Sequence, residues 1–241
     1  MPAWSTAGAI VSQIATEIGL GPNVDPFSSA DPNFIQLCAL LAPAGQELVM
    51  LRQWTHLVVP YTFVTVAGQA NYTLPVDFRS MIDQTGWNRS TRLPLQVISA
   101  QQYEYVQALS IGVTLNILFR PLNQKLQMTP APATGGQVIA FEYISTNWCA
   151  PTGYTTPTTD APATSSDVVF FDKLLMQRAL KLAFLSDKGF DTTTAQQKYD
   201  TVLELMKGTD AISPKLRFDG GGSGPSLIGA QNVPITGYGL P

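Results

Sequence analysis

Ile10, Val11, Ile14 and Ile18 recur on one helical face within residues 5–19, which predicts an opening amphipathic helix. Ser5 or Thr6 can cap its start, and Gly19 and Gly21 stop it. A longer stripe of Phe34, Leu37, Leu41, Leu48, Leu51 and Trp54 follows Asp31-Pro32, an N-cap with proline at the first helical position. Pro43 lies inside that stripe, so a kink or break is expected near Leu40. At Leu57 the period changes. "LVVPYTFVTVAGQANYTLP" is β-branched and aromatic, with Gly68 between two runs, and predicts a hairpin. Pro60 would put its first strand at an edge or delay its start. Ser99 and Gln102 stand in capping-box spacing ahead of a short helix. The runs "VTLNILF", "KLQMTP" and "GQVIAFEYIS" then predict a small antiparallel meander.

Residues 151–166 hold Thr, Pro, Ala and Gly with almost no apolar bulk, as a loop or linker does. Helical spacing returns with Leu174, Leu175, Ala179, Leu182 and Leu185. Gly189 ends that helix, Asp191 can cap the next, and Tyr199, Val202, Leu203 and Met206 form its stripe, giving an αα-hairpin. The expected fold class is α+β: a helical bundle from the N- and C-terminal helices, an inserted small antiparallel β-domain and an extended C-terminal arm. The expected division is 1–56 and 167–208 for the bundle, 57–148 for the β-domain, 149–166 for a linker and 209–241 for the arm. A triple glycine and spaced prolines exclude a helix in the last segment, yet Leu227, Ile228, Val233, Ile235 and Tyr238 remain. That segment is either a disordered tail or an arm that docks on a partner.

Composition narrows the function. Only 13% of the residues are charged, against an average of roughly 25%. Either partners cover much of the surface, or Ser, Thr, Gln and Asn replace the charges. The net charge of −3 argues against sequence-independent binding to a phosphate backbone, and Arg52, Arg79, Arg89, Arg92, Arg120, Arg178 and Arg217 are spread along the chain. Cys38 and Cys149 do not make a disulfide framework, and Cys38 fits a small buried thiol. No positive N-terminal segment suggests a secretory signal, and no apolar run is expected to span a bilayer. The expectation is assembly in a reducing cytoplasm without a membrane partner.

The search for chemistry finds little. His56 is the single histidine, at the junction of the second helix and first strand. No Gly-x-Ser-x-Gly elbow, phosphate-cradling loop or close pair of zinc ligands is present, and "GGGSG" at 220–224 precedes a proline as linkers do. Asp77, Asp83, Glu104 and Glu142 lie in or near the β-region, where a glycoside hydrolase would need two carboxylates at a set separation. No catalytic residue, cofactor or metal is expected.

The order of several fragments is more informative than any one. "LLAPAGQELVMLRQW" ends a helix, "FVTVAGQANYTLPVDFRSMID" follows, then "GWNRSTRLPL", "SAQQYEYVQA", "FEYISTNW" and a helical hairpin joined by "KGFD". From about residue 31 to 208 this series resembles the head-to-tail adaptors of short-tailed, double-stranded DNA bacteriophages, of the tail tubular protein A type. It departs where "RLPLQ" runs into "VIS" in place of a glycine-proline turn, and in its long Gly/Pro-rich tail. The resemblance implies a dodecameric ring beneath the portal that gives the tail nozzle its attachment surface, with packaged DNA passing through the channel. It implies a virion protein at the head-tail junction, not an enzyme. Within "YTLPVDFRSMIDQTGWNRSTRLPL", Tyr72, Leu74, Pro75 and Phe78 suit core and turn positions, and Asp77 can cap the following turn. Trp87, Arg89 and Arg92 are of the types enriched at interfaces, although Trp87 in a core and solvated arginines would look the same. Leu227, Ile228, Ile235 and Tyr238 are the interface candidates of the arm. The alternatives are a tail-associated peptidoglycan hydrolase and a nucleic-acid-binding module.

Overall fold

The computed structural model describes residues 4–21, 23–109 and 117–210, and within them the chain is mixed α+β. Strand β1 (Ser5–Thr6) leads into helix α1 (Ala7–Glu17), followed by α2 (Pro32–Leu51). Strands β2 (Val58–Val64), β3 (Asn71–Thr73), β4 (Phe78–Met81), β5 (Trp87–Asn88), β6 (Leu93–Pro94) and β7 (Gln96–Val97) come next. Helix α3 (Ala100–Ala108) precedes β8 (Leu118–Leu122), β9 (Lys125–Thr129), β10 (Val138–Ser145), β11 (Cys149–Ala150) and β12 (Val168–Val169). Helices α4 (Lys173–Asp187) and α5 (Thr193–Thr209) end the described chain.

Four helices share one apolar core. Ile10, Val11 and Ile14 of α1 meet Phe34, Leu37, Leu41 and Leu48 of α2, Leu175, Met176 and Leu180 of α4, and Leu203 of α5. Thr6 caps α1, its hydroxyl accepting from the Ala9 N–H at 3.3 Å. Asp31 caps α2 through the Asn33 N–H at 2.8 Å, with Pro32 at the first position. Contrary to the expected break, α2 runs unbroken through Pro43. Pro43 and Ala39, whose carbonyl loses its partner, are both exposed, so the freed acceptor lies on the solvent side while Leu41 and Ala44 stay packed. This helix also corrects the view that no apolar run reaches bilayer length. Its 20 residues, at a mean hydropathy of 1.5, suffice by length and composition. Its apolar stripe is packed in the core instead.

Two stripes shift in phase. Leu51 is 49% exposed. Trp54 lies beyond the helix end, buried, with its indole N–H donated to the Leu48 carbonyl at 2.6 Å. In α4 the buried face is Leu175, Met176, Leu180 and Phe184, while Leu174 points outward at 42% exposure. Consecutive apolar residues at 174–176 leave the phase open in sequence; core packing selects it. Cys38 is half-buried rather than buried.

The strands form two larger sheets and one small one. Strand β2 pairs with β10 along its whole length, and β4 and β5 also pair with β10, with β6 beyond β5. The second sheet runs β3-β9-β8-β7, its β7–β8 pair parallel. The expected hairpin at Gly68 is therefore not formed: its two runs enter different sheets. The eight-residue β10 offers β2 a long ladder that the three-residue β3 cannot match. Among the described residues the meander is present as the β8–β9 hairpin, and the start of its first run, residues 113–116, lies outside them. Tyr72, Phe119, Leu126 and Met128 of one sheet meet Ile139, Phe141 and Tyr143 of the other in a second core. Ile144, one residue on, belongs to the helical core, so β10 serves both. Pro60 sits on β2 at the open edge of its sheet, where a missing donor costs no ladder bond.

Residues 149–166 are held against the helices. Strand β12 pairs with both β1 and β11. The buried Asp167 carboxylate accepts from the Ala163 N–H (2.6 Å), the Thr164 N–H (3.0 Å) and the Thr164 hydroxyl (2.6 Å). Burial alone would raise its pKa; these bonds outweigh it and lower the value.

Candidate interface on the outer sheet face

The β-ladder register decides which side chains share a face. Residues directly opposite on antiparallel strands point the same way. Tyr61 opposes Phe141, and Phe63 opposes Ile139, all on the side of the second core. The other face must carry the alternate residues. Across it run Thr62, Ala140, Trp87 and Pro94 in one row, with Pro60 and Glu142 in the next. Ala140 is small, so a hollow remains beside the half-buried Trp87. It has a volume of about 380 Å³ and is lined by Pro60, Thr85, Trp87, Arg89, Arg92 and Glu142 among others.

A built turn delivers the two arginines. The buried Asn88 accepts from the Ser90 N–H (3.0 Å) and Thr91 N–H (3.2 Å) and donates its amide to Gln137 at 2.8 Å. Ser90 accepts from the Val138 N–H at 2.9 Å. The Arg89 N–H donates to the Val138 carbonyl at 2.8 Å. Arg92 takes the left-handed region at φ 60° to complete the turn. Both side chains are exposed. Trp87, Arg89 and Arg92 thus converge on one hollow. Leu227, Ile228, Ile235 and Tyr238 lie outside the described residues.

"DFR" has a different task. Asp77 does not cap the next turn; its carboxylate accepts from the Tyr143 hydroxyl (3.0 and 3.1 Å) and the Ser145 hydroxyl (2.6 Å). Burial and this carboxylate push the Tyr143 phenol well up. Arg79 reaches from β4 to the C-terminus of α2, donating to the carbonyls of Val49, Met50 (2.7 Å) and Arg52 (3.2 Å). It caps orphan carbonyls where a cation also suits the helix dipole. Arg52 does the same for α5, donating to the carbonyls of Lys207 and Asp210. No periodicity announces these arginines. The Asn88 turn had a readable signal, Asn followed by Arg-Ser-Thr.

The four carboxylates considered for a hydrolase have different surroundings. Tyr143, which holds Asp77, lies on the opposite sheet face from Glu142. Glu104 on α3 pairs with Arg120 at 3.8 Å, and Asp83 is exposed in the turn after β4. Burial pushes the Cys38 and Cys149 thiols up to about 11, so neither is a ready thiolate. Among the described residues, no three of His, Cys, Asp and Glu cluster as metal ligands would. Arg178 and Lys181 share Glu17, at 3.5 and 3.0 Å. Arg52 and Arg79 are taken up by helix ends.

Against known families, the model described as SU10 adaptor protein matches residues 5–218. No curated protein matches the chain.

Proposed function

The chain belongs to the SU10 adaptor protein family of phage head-to-tail adaptors, and from that membership we propose that it is the ring-forming subunit joining the portal to the tail nozzle. In this proposal a dodecamer of the chain sits at the head-tail junction of the virion after assembly in the host cytoplasm. The carboxy-terminal arm reaches the portal, and the inserted β-domain faces the tail. DNA passes through the central channel without sequence-specific binding.

The observation that carries the proposal is the outer face of the β2–β10 sheet, with Trp87, Arg89 and Arg92 around one hollow. Identical copies in a ring must each present two different complementary faces. An aromatic plane flanked by two guanidinium groups suits the centre of one. A surface poor in charge fits repeated burial. Leu227, Ile228, Ile235 and Tyr238 are assigned to the portal contact. No catalytic step, cofactor or membrane enters. The alternative reading is a tail-associated peptidoglycan hydrolase, which turnover on peptidoglycan would reveal.

Native mass measurement with and without portal tests the proposal. The chain alone should be monomeric or weakly associated, and should form a ring when portal is added. Trp87→Ala and Arg92→Ala should fold yet fail to co-sediment with portal. Assembly of both at the wild-type level would reject the role given to this face.

A further inference from the structure

Opposite its core stripe, α2 has an exposed face with a single charge. Ile35, Ala39, Pro43, Gln46, Glu47 and Met50 fall within about a third of the helix circumference, and all are exposed, Ile35 to 55% and Met50 to 70%. Glu47 offers only acceptors, and Pro43 leaves the Ala39 carbonyl without its helical donor on this same side. Asp200 on α5 adds to the negative charge here. Burial raises the Tyr199 phenol first, and Glu47 and Asp200 raise it further, so both carboxylates lie within reach of that one group. Arg52 and Arg79 border the C-terminal end of α2, where their donors are engaged by carbonyls of the chain itself. A partner that covers this face has to bring donors and positive charge.

The outer sheet face has the reciprocal character. Pro60, Thr62 and Val64 of β2 are exposed beside the hollow at Trp87. Arg89 and Arg92 are exposed too, and among the described residues neither is in an ion pair. Glu142 lines the same hollow, which leaves one net positive charge there and two guanidinium forks rich in donors. The 20 residues of α2 make about 30 Å of helix, and the eight of β10 about 27 Å of sheet. Because both faces are exposed, they do not cover one another within a chain.

We propose that they bind each other between copies: α2 of one chain lies across the outer sheet face of the next, with Glu47 between Arg89 and Arg92. A second copy is the occupant because it brings the matching charge, the matching length and the acceptors that the guanidinium groups lack. The contact joins two different faces, so each copy keeps one free for a further neighbour, as closure of a ring requires. It rests on the ring proposal above and names the second face of that ring.

Glu47→Arg and Arg92→Glu each put like charges into the contact. Either alone should lower the ring yield on portal, read by native mass measurement, at least about tenfold, with unchanged urea midpoints showing that both fold. Mixed in equal amounts, the two variants should recover most of the yield as alternating rings, because every contact then pairs opposite charges. The double variant E47R/R92E should assemble by itself. Wild-type protein that makes no ring on portal would overturn the ring proposal and this contact with it. Rings at wild-type yield from E47R would overturn the contact alone. Loss in both single variants, with no recovery in the mixture or the double variant, would assign the two faces to portal or nozzle and overturn it as well.

Discussion

Replacing Gly45 with alanine should destabilise the protein although it improves the helix. Gly45 sits in the interior of α2, where alanine is favoured by about 1 kcal/mol on propensity alone. A Cβ built there would come within 2.6 Å of the Trp148 Cη2, and closer still to its Cζ2 and Cε2. Carbon atoms sit comfortably at about 3.5–4.0 Å, so the indole would have to retreat by more than about 1 Å. It has nowhere to go. Trp148 is fully buried, with Phe171 at a ring-centroid distance of 6.1 Å. Overpacking of such a core costs about 1–3 kcal/mol and occasionally more. The clash lies at the severe end of that range, so a net loss of about 1–2 kcal/mol is expected after the propensity gain. For a chain of this size that lowers Tm by roughly 2–8 °C. Urea titration of wild type, G45A and G208A on one instrument provides the assay. Gly208 has nothing within 4 Å of its built Cβ, so G208A should be neutral or stabilising by up to about 1 kcal/mol. Pairing G45A with Trp148→Phe, which removes the clashing atoms, should give a favourable coupling energy between the two sites. A G45A protein as stable as wild type would refute the steric account.

His56 should dominate the mild-acid stability profile. Its folded pKa of about 4 lies below the free value of 6.5, so its contribution is complete above pH 6.5 and is lost as the pH falls toward 4, by about 3 kcal/mol in total. His56→Phe should flatten urea stability across that window, and a slope that persists would assign the effect to other groups. Asp167, whose pKa is lowered, contributes stability that is present above 3.8 and is lost only below that window. Arg79→Met should cost about 2 kcal/mol through the uncapped carbonyls of α2. Arg79→Lys should recover only part of this, because one ammonium cannot match a fork spread over three carbonyls. Full recovery by lysine would show that charge alone holds the helix end. Asp77→Asn should loosen the anchoring of Tyr143 and Ser145 by about 1–3 kcal/mol without affecting the sheet hollow, which denaturation and portal co-sedimentation would separate.

Local signals were legible where they were self-sufficient. The Thr6 and Asp31 caps and the Ser99–Gln102 capping box depend on residues within three positions of one another, and the α5 stripe on steps of no more than four. The errors arise where a distant partner decides. Gly68 looked like a hairpin turn because its flanking runs have the right composition, yet strand pairing is won by the partner with the longer matching ladder, and β10 lies more than seventy positions downstream of β2. Pro43 looked like a helix breaker because the sequence does not say whether the freed carbonyl faces water.

The candidate interface shows the same division at the level of side chains. "WNRSTR" announced its residue types, but their convergence depends on pairing Trp87 with Ala140 and Asn88 with Ile139. Because side chains alternate along a strand, a slip of one residue would turn Trp87 into the second core and bring Asn88 out. Asn88 prevents that slip. Its buried amide is matched by Gln137, and its carbonyl holds the turn that returns Arg92 to the hollow. An aliphatic residue at 88 would keep the inner face apolar but lose the turn, and the arginines would no longer be directed to the tryptophan. The polar residue in the core therefore sets what the surface presents, and that linkage cannot be inferred from either position alone.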